Sequence, residues 1–231
     1  MVIVEIADSG TAMNEAYRLR EANHRISNHL SLIASMVQMQ MSALAKGPPT
    51  LKREDVRVLL QETAGKIVSV GHFHRRLSEQ LHAESMDVAN FILESSSQLV
   101  SSLNLTNRVR LVQRLGGDCR MAPDQAQHLG LLVNEIVLNA AKHAHPTGLP
   151  VVVSIDCQTD DNGRARVEIA DDGIGLPEGF DSSQSGGVGF KLIRSLAQSL
   201  KAELDIESDS LGLSVRVTLP ALAQPMAVAA R

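Results

Sequence analysis

"NEIVLNAAKHA", Asn134 to Ala144, is an apolar segment with three polar side chains in one line. Glu135, Asn139 and Lys142 recur at spacings of four and three, which puts them on one face of a helix. On a helix otherwise made of Ile, Val, Leu and Ala, such a face is either a solvated stripe or a place for a ligand. An amide oxygen can coordinate Mg²⁺, and a Lys ammonium beside it can neutralise phosphate charge. The helix is opened by Pro123 and Asp124, which suit a first turn, and runs through "QAQHLGLLVNEIVLNAAKHA".

Outward from that helix the texture alternates. The pattern predicts a helix over Val88 to Leu103 and a strand near "RVRLVQRL" (Arg108 to Leu115) before it. After it, "PVVVSIDC" and "RARVEIADD" flank the turn-prone "TDDNG" and read as a hairpin. "SGGVGF" (Ser185 to Phe190) leads into a helix over Lys191 to Leu200, and "AELDIES" and "SVRVTLP" read as two closing strands. Helices alternating with strands in this way predict an α/β two-layer sandwich. The last stretch, "ALAQPMAVAAR", has no partner element and is expected to fray.

The first third of the chain has a different period. Leu19, Asn23, Ile26, Leu30, Ile33, Val37 and then Met41 or Leu44 recur at alternating threes and fours, a coiled-coil-like seam. "KGPPT" (Lys46 to Thr50) interrupts it, since Gly47 can end a helix and Pro48-Pro49 cannot continue one. A second seam follows through Val56, Leu60, Thr63, Ile67, Val70, His74, Leu77 and Leu81. Two such helices make a hairpin with too little core to stand alone, and pairing two hairpins buries both seams in a four-helix bundle. The expected state is a homodimer. The expected fold is α+β: a helical-hairpin dimerisation domain over 1–84, an α/β sandwich over 85–220 and a flexible tail over 221–231.

Composition excludes several classes. The 231 residues are 44% hydrophobic and 21% charged, ordinary for a globular chain of one or two domains. With no Trp, one Tyr and four Phe, the core must be aliphatic, which favours helical packing. A net charge of -4 and the lack of a Lys/Arg run give no reason to expect nucleic acid. No run approaches the roughly 18 apolar residues of a membrane span, so no direct membrane insertion is expected. Cys119 and Cys157 are too few to staple a chain of this size and are expected to be passive; with no leader-like opening, the cytoplasm is the default compartment.

Two further polar blocks join Glu135, Asn139 and Lys142. In "DDGIGLPEG", Asp171 and Asp172 meet Gly173 and Gly175 directly after a strand. The glycines allow a tight turn and a fixed carboxylate can accept a hydrogen bond from an exocyclic amine, although an acidic turn alone would read the same way. In "SGGVGF", Gly186, Gly187 and Gly189 precede a helix whose free N–H groups can hold phosphate oxygens. The spacing is neither G-x-G-x-x-G nor G-x-x-x-x-G-K-[ST], so dinucleotide-binding and P-loop readings fail.

In order, these blocks resemble the N, G1 and G2 boxes of the Bergerat ATP-binding fold shared by histidine kinases, gyrase-type ATPases and Hsp90-like chaperones. With "NHRISN" (Asn23 to Asn28) upstream, the chain resembles a two-component sensor histidine kinase core of the His-Arg-x-x-Asn subclass, related to the HWE kinases. It departs from HWE kinases proper in carrying Asn134 where those carry His, and in having no Trp. The resemblance spans about Glu15 to Pro220.

That resemblance implies a set of roles. His24 is the phosphorylated residue, since an imidazole nitrogen can attack a γ-phosphate. Arg25 steadies phosphate charge, and Asn28, one turn on, orients water for dephosphorylation of a response regulator. Asn139 binds Mg²⁺, Lys142 contacts phosphate, with His143 as a possible nucleotide contact, and Asp171 accepts the adenine amino group. Gly173, Gly175, Gly187 and Gly189 shape the nucleotide loop, while Glu135 acts as a general base or polarises the histidine. The implied cofactors are ATP and Mg²⁺, and the implied partner is a response regulator receiver domain. The short stretch before the first helix leaves no room for a sensor, so input is expected from a separate protein, from the amino-terminal stub or from sequence outside this chain. Two departures, Phe190 for the usual Leu and Lys201-Ala202 for paired glycines, are expected to alter nucleotide affinity. They also keep open an alternative, a histidine phosphotransferase relay protein with a degenerate ATP-binding domain. A Bergerat ATPase or serine kinase ranks last, because neither needs the hairpin with His24.

Overall fold

The computed structural model describes residues 9–48, 50–79, 86–114, 119–161, 163–181 and 186–221, without the side chains at 9–19, 21, 22, 24, 25, 29, 74 and 76–79. Leu19, His29, His74 and Leu77 are thus described by backbone only, while Leu81, His82, Ser185 and the tail beyond 221 lie outside the described residues. Contacts divide the chain into Met1–Lys46 and Gly47–Arg231.

Among the described residues the first unit is one helix, α1 (Ser9–Ala45), which stops just ahead of Gly47 and Pro48. Of its expected seam, Ile26, Leu30, Met41 and Leu44 are exposed, and Ile33 and Val37 are half-buried.

The second unit opens with α2 (Arg53–Glu79), whose first turn carries Glu54 and Asp55, charges that suit the positive end of a helix. Its apolar residues divide between two faces. Val56, Leu60 and Ile67 are exposed, whereas Val70 and Phe73 are buried together with Lys66 and Ser69. This corrects the expectation of one continuous seam: a second stripe, invisible as such because it contains Lys66 and Ser69, faces the rest of the unit.

What that stripe meets are α3 (Val88–Ser102) and α4 (Pro123–His143). The Phe73 ring lies 5.2 Å from that of Phe91, and a β-carbon at Gly130 would stand 2.7 Å from the Phe73 ring, so only glycine lets the ring lie on α4. Asp87 caps α3 by accepting from the Asn90 N–H at 3.2 Å. The helix ends at Asn104 with φ +55°; Asn104 N–H donates to Ser101 O at 3.0 Å and Leu105 N–H to Val100 O at 2.8 Å, the paired bonds of a Schellman motif.

Strands β1 (Met86–Asp87) and β3 (Arg120–Met121) form a small antiparallel pair. The main sheet comprises β2 (Val109–Arg114), β4 (Val151–Thr159), β5 (Ala165–Asp171), β6 (Glu203–Asp209) and β7 (Gly212–Thr218) in the order β2-β4-β5-β7-β6. Among the described strands only β2 and β4 run parallel, and the expected β4–β5 hairpin forms with Ile155 opposite Ile169. Alternate residues Val151, Val153, Ile155, Cys157, Val167, Ile169, Val215 and Val217 are buried, the period of two that turns one sheet face to a core. The helices supply Ile92, Leu129, Leu132, Ile193 and Leu196 to the buried side-chain set. The helix α5 (Val188–Ser199) completes the unit.

Cys119 and Cys157 are not passive, as expected from the sequence, but joined in a disulfide with Cα atoms 5.9 Å apart. Their separation of 38 residues hides a proximity that arises because β4 turns Cys157 inward toward the start of β3.

Candidate functional site

The three polar residues of α4 lie in different environments. Glu135 is buried at 3% exposure, Asn139 is half-buried and Lys142 is exposed. Glu135 is held by Lys66 of α2, whose Nζ lies 2.8 Å from Oε1 and 2.9 Å from Oε2. Burial pushes the Glu135 carboxyl above its ordinary range, and the Lys66 ammonium, with more distant Lys142, opposes that push. Lys142 itself pairs with Glu62 of α2 at 2.7 Å. Neither Lys66 nor Glu62 carried a sequence signal, since their partners lie on an element far along the chain.

Asn139 faces α5. A β-carbon at Gly189 would stand 3.1 Å from Asn139 Oδ1, 3.3 Å from its Nδ2 and 3.4 Å from Glu135 Oε2. Glycine at this position therefore leaves space beside Asn139, which any side chain would begin to fill. At the same end of α5, Gly187 is the N-cap and no side chain among the described residues caps it, so the first-turn N–H groups can meet an anion. Amide oxygen, ammonium and helix N-terminus form a donor set suited to a metal–phosphate ligand.

The block after β5 is stitched to the carboxyl end of α4. Ala144, the C-cap, has a carbonyl with no helical partner of its own, and the Ile174 N–H donates to it at 3.0 Å. His145 Nε2 lies 3.2 Å from Asp172 Oδ1, which also accepts from the Val152 N–H at 2.9 Å. Asp171 Oδ1 accepts from the N–H of Gly173 at 2.9 Å and of Leu213 at 3.4 Å. Its pKa is nevertheless raised, because desolvation outweighs those two bonds. His143 has its pKa lowered by partial burial and by the neighbouring Lys142 ammonium, which keeps its ring neutral near pH 7. Gly175, at φ +70°, comes against the Asp209 carbonyl and the Ser208 hydroxyl, so both its conformation and its surroundings demand glycine.

A cavity of about 270 Å³ lies beside this turn, lined by Asp171, Ser208, Asp209, Gly212 and Leu213 among others. It includes none of Glu135, Asn139, Lys142 or Gly189, and so is separate from the polar face of α4.

The two departures noted in the sequence have structural explanations. Phe190 lies against Phe180 with ring centroids 5.3 Å apart in a tilted contact. Lys201 adopts φ +52° as the residue after the α5 C-cap, where Lys201 N–H donates to Gln198 O at 3.0 Å and Ala202 N–H to Ala197 O at 2.9 Å. A glycine there would serve helix termination. On α1, the backbone of His24 and Arg25 is helical but their side chains lie outside the described set, while Asn28, one turn on, is exposed.

Residues 21–103 match a family model described as "Histidine kinase", and residues 124–223 one described as "Histidine kinase-, DNA gyrase B-, and HSP90-like ATPase". The chain is 26% identical over 239 residues to the blue-light-activated histidine kinase 2 of Erythrobacter litoralis, covering 97% of this chain and 62% of that protein. It is 29% identical over 203 residues to the sensor histidine kinase PdtaS of Mycobacterium tuberculosis, covering 84% of this chain and 36% of that protein. This chain thus spans less than two thirds of either relative. The solved histidine kinase domain of the Erythrobacter litoralis EL346 blue-light activated histidine kinase shares the fold, with a TM-score of 0.65 at 24% identity over 88% of this chain and 93% of that one. With a helical region preceding an α/β ATPase sandwich, this chain belongs to the histidine kinases and carries their ATP-binding domain.

Proposed function

We propose that the chain is an ATP-dependent protein-histidine kinase that phosphorylates its own His24 and passes the phosphoryl group to an Asp of a response regulator receiver domain. The observation that carries this reading is the close approach of Gly189, at the start of α5, to Asn139 and Glu135 on the polar face of α4. On that face Asn139 would hold Mg²⁺ and Lys142 would meet phosphate, while Asp171 would accept the adenine amino group; Mg·ATP, when bound, supplies the phosphoryl group and the charge neutralisation its transfer needs. A nitrogen of His24 bonds to the γ-phosphorus as the bond to the ADP oxygen breaks. Arg25 would steady the charge, Glu135 would polarise the histidine and Asn28 would orient water in the reverse reaction.

In this reading α1 and α2 form a dimerisation and phosphoacceptor hairpin over 1–84, paired in a homodimeric four-helix bundle, ahead of a catalytic domain over 85–220. The exposed Ile26, Leu30, Leu60 and Ile67 supply the apolar surface for it. No described helix is long and apolar enough to cross a membrane. In this reading the chain works in the cytoplasm, with input from a separate protein, from the amino-terminal stub or from sequence outside this chain. Incubation with γ-labelled ATP is expected to give an acid-labile, base-stable label that disappears in His24→Ala. An acid-stable label would point to Ser or Thr and overturn the reading.

A further inference from the structure

Among the described residues two ion pairs run from α2 to the polar face of α4, and they differ in exposure. Lys66 and Glu135 form the enclosed one, with side chains 10% and 4% exposed; Lys142 and Glu62 form the outer one, at 38% and 16%. Glu62 and Lys66 are one turn apart on α2, as Lys142 lies two turns beyond Glu135 on α4, so both pairs lie along a single line of contact. Packing fixes α2 in that position: Phe73 rests on Gly130, and a β-carbon at Gly65 would come 3.0 Å from Leu103.

Lys142 is also the only Lys on the α4 face that carries Asn139. An anionic ligand reaching it finds a carboxylate already there. The phosphate must either draw the ammonium away from Glu62 or lie beside Glu62 and accept its repulsion, and both oppose binding.

We propose that Glu62 sets the nucleotide affinity of this domain from outside it, acting as a resident counter-anion that phosphate must displace from Lys142. The inference rests on the reading of the α4 face as the nucleotide site. Its consequence is linkage: whatever factor Glu62 removes from phosphate affinity, bound phosphate removes from the hold of α2 on α4. The Lys66–Glu135 pair is the more enclosed of the two and is bonded through both carboxylate oxygens, so it anchors α2 while the outer pair opens. The helix that follows the phosphoacceptor helix in the chain is thereby coupled to nucleotide occupancy without a dedicated effector.

The test is calorimetric titration of the full chain with Mg·ADP, which binds without turnover, and with adenosine, which has no phosphate. Glu62→Gln keeps the size and removes the charge, and Glu62→Ala is a second variant should the first misfold. Glu54→Gln is the control, because Glu54 is an exposed carboxylate on the same helix that pairs with Arg57. Expected is tighter Mg·ADP binding by about two- to fivefold in both Glu62 variants, the scale of a partly exposed ion pair. No change is expected with adenosine or in Glu54→Gln. Binding by the variants alone, with none by the wild type, is the extreme form of the same result. Equal Mg·ADP affinity in wild type and variants, weaker binding in the variants, or an equal gain for adenosine overturns the role of Glu62 and leaves the nucleotide site standing. Absence of binding in every protein overturns the nucleotide site, and the role of Glu62 with it.

Discussion

Gly173, in the turn after β5, lies directly on Ala144 at the end of α4: a β-carbon on Gly173 would stand 2.5 Å from both the Cα and the Cβ of Ala144. Backbone meets backbone here, so no side chain can swing aside. Gly173→Ala must part the turn from the helix, break the Ile174-to-Ala144 bond and shift Asp171. The expected loss is about 1–3 kcal/mol, the scale of overpacking in a closed site. Urea unfolding should show a lower midpoint at an unchanged slope; a wild-type midpoint would refute the contact.

Lys66→Met removes the counter-ion from the Glu135 carboxylate, whose side chain is only 4% exposed. At neutral pH the expected cost is about 3–5 kcal/mol. The sign of its pH dependence follows from Glu135, whose pKa in the folded state is raised by burial and rises further without Lys66. A carboxyl whose folded pKa lies above its unfolded value binds more protons when folded. Stability therefore falls as pH rises from the ordinary value of 4.5 through the folded one. The difference between wild type and variant should thus shrink as pH is lowered toward 5. Thermal unfolding across that range checks it, and a pH-independent difference would sink the explanation.

Lys201→Gly should stabilise the protein. Lys201 holds φ +52° at the end of α5, a conformation that strains a side chain and suits glycine. Part of the gain is offset by the greater freedom of glycine in the unfolded chain, so about 0.5–1 kcal/mol is expected. A higher denaturation midpoint with unchanged Mg·ADP affinity is the predicted result. A change in affinity instead would support the expectation that this departure alters nucleotide binding.

Ile33→Asp tests the proposed dimer. Ile33 is half-buried within one chain, and a four-helix bundle would enclose it, so an unpaired carboxylate there should cost several kcal/mol, on the order of a buried charge. The variant is expected to be monomeric by light scattering, to bind ATP through an intact sandwich and to lose phosphorylation of His24. Wild-type protein that stays monomeric and phosphorylates itself at full rate refutes the bundle.

Much of this fold was legible in the chain because the signals are local. The period of three and four gives α1 and α2; Pro123 starts α4; the turn between "PVVVSIDC" and "RARVEIADD" makes β4 and β5 a hairpin; and the spacing of Glu135, Asn139 and Lys142 puts them on one face. Each rests on neighbours within a turn of helix or a few residues of strand, where covalent geometry does the ordering. Tertiary structure alone decided that α2 carries a second buried stripe, that Lys66 and Glu62 reach Glu135 and Lys142, that Cys119 meets Cys157, and that Lys201 ends a helix in a left-handed turn. A lysine reads as solvent-facing in any sequence, because burying its charge is unfavourable without a partner. Lys66 is buried because α3 and α4 fold against α2 and bring a carboxylate from Glu135, 69 residues along the chain, to meet it.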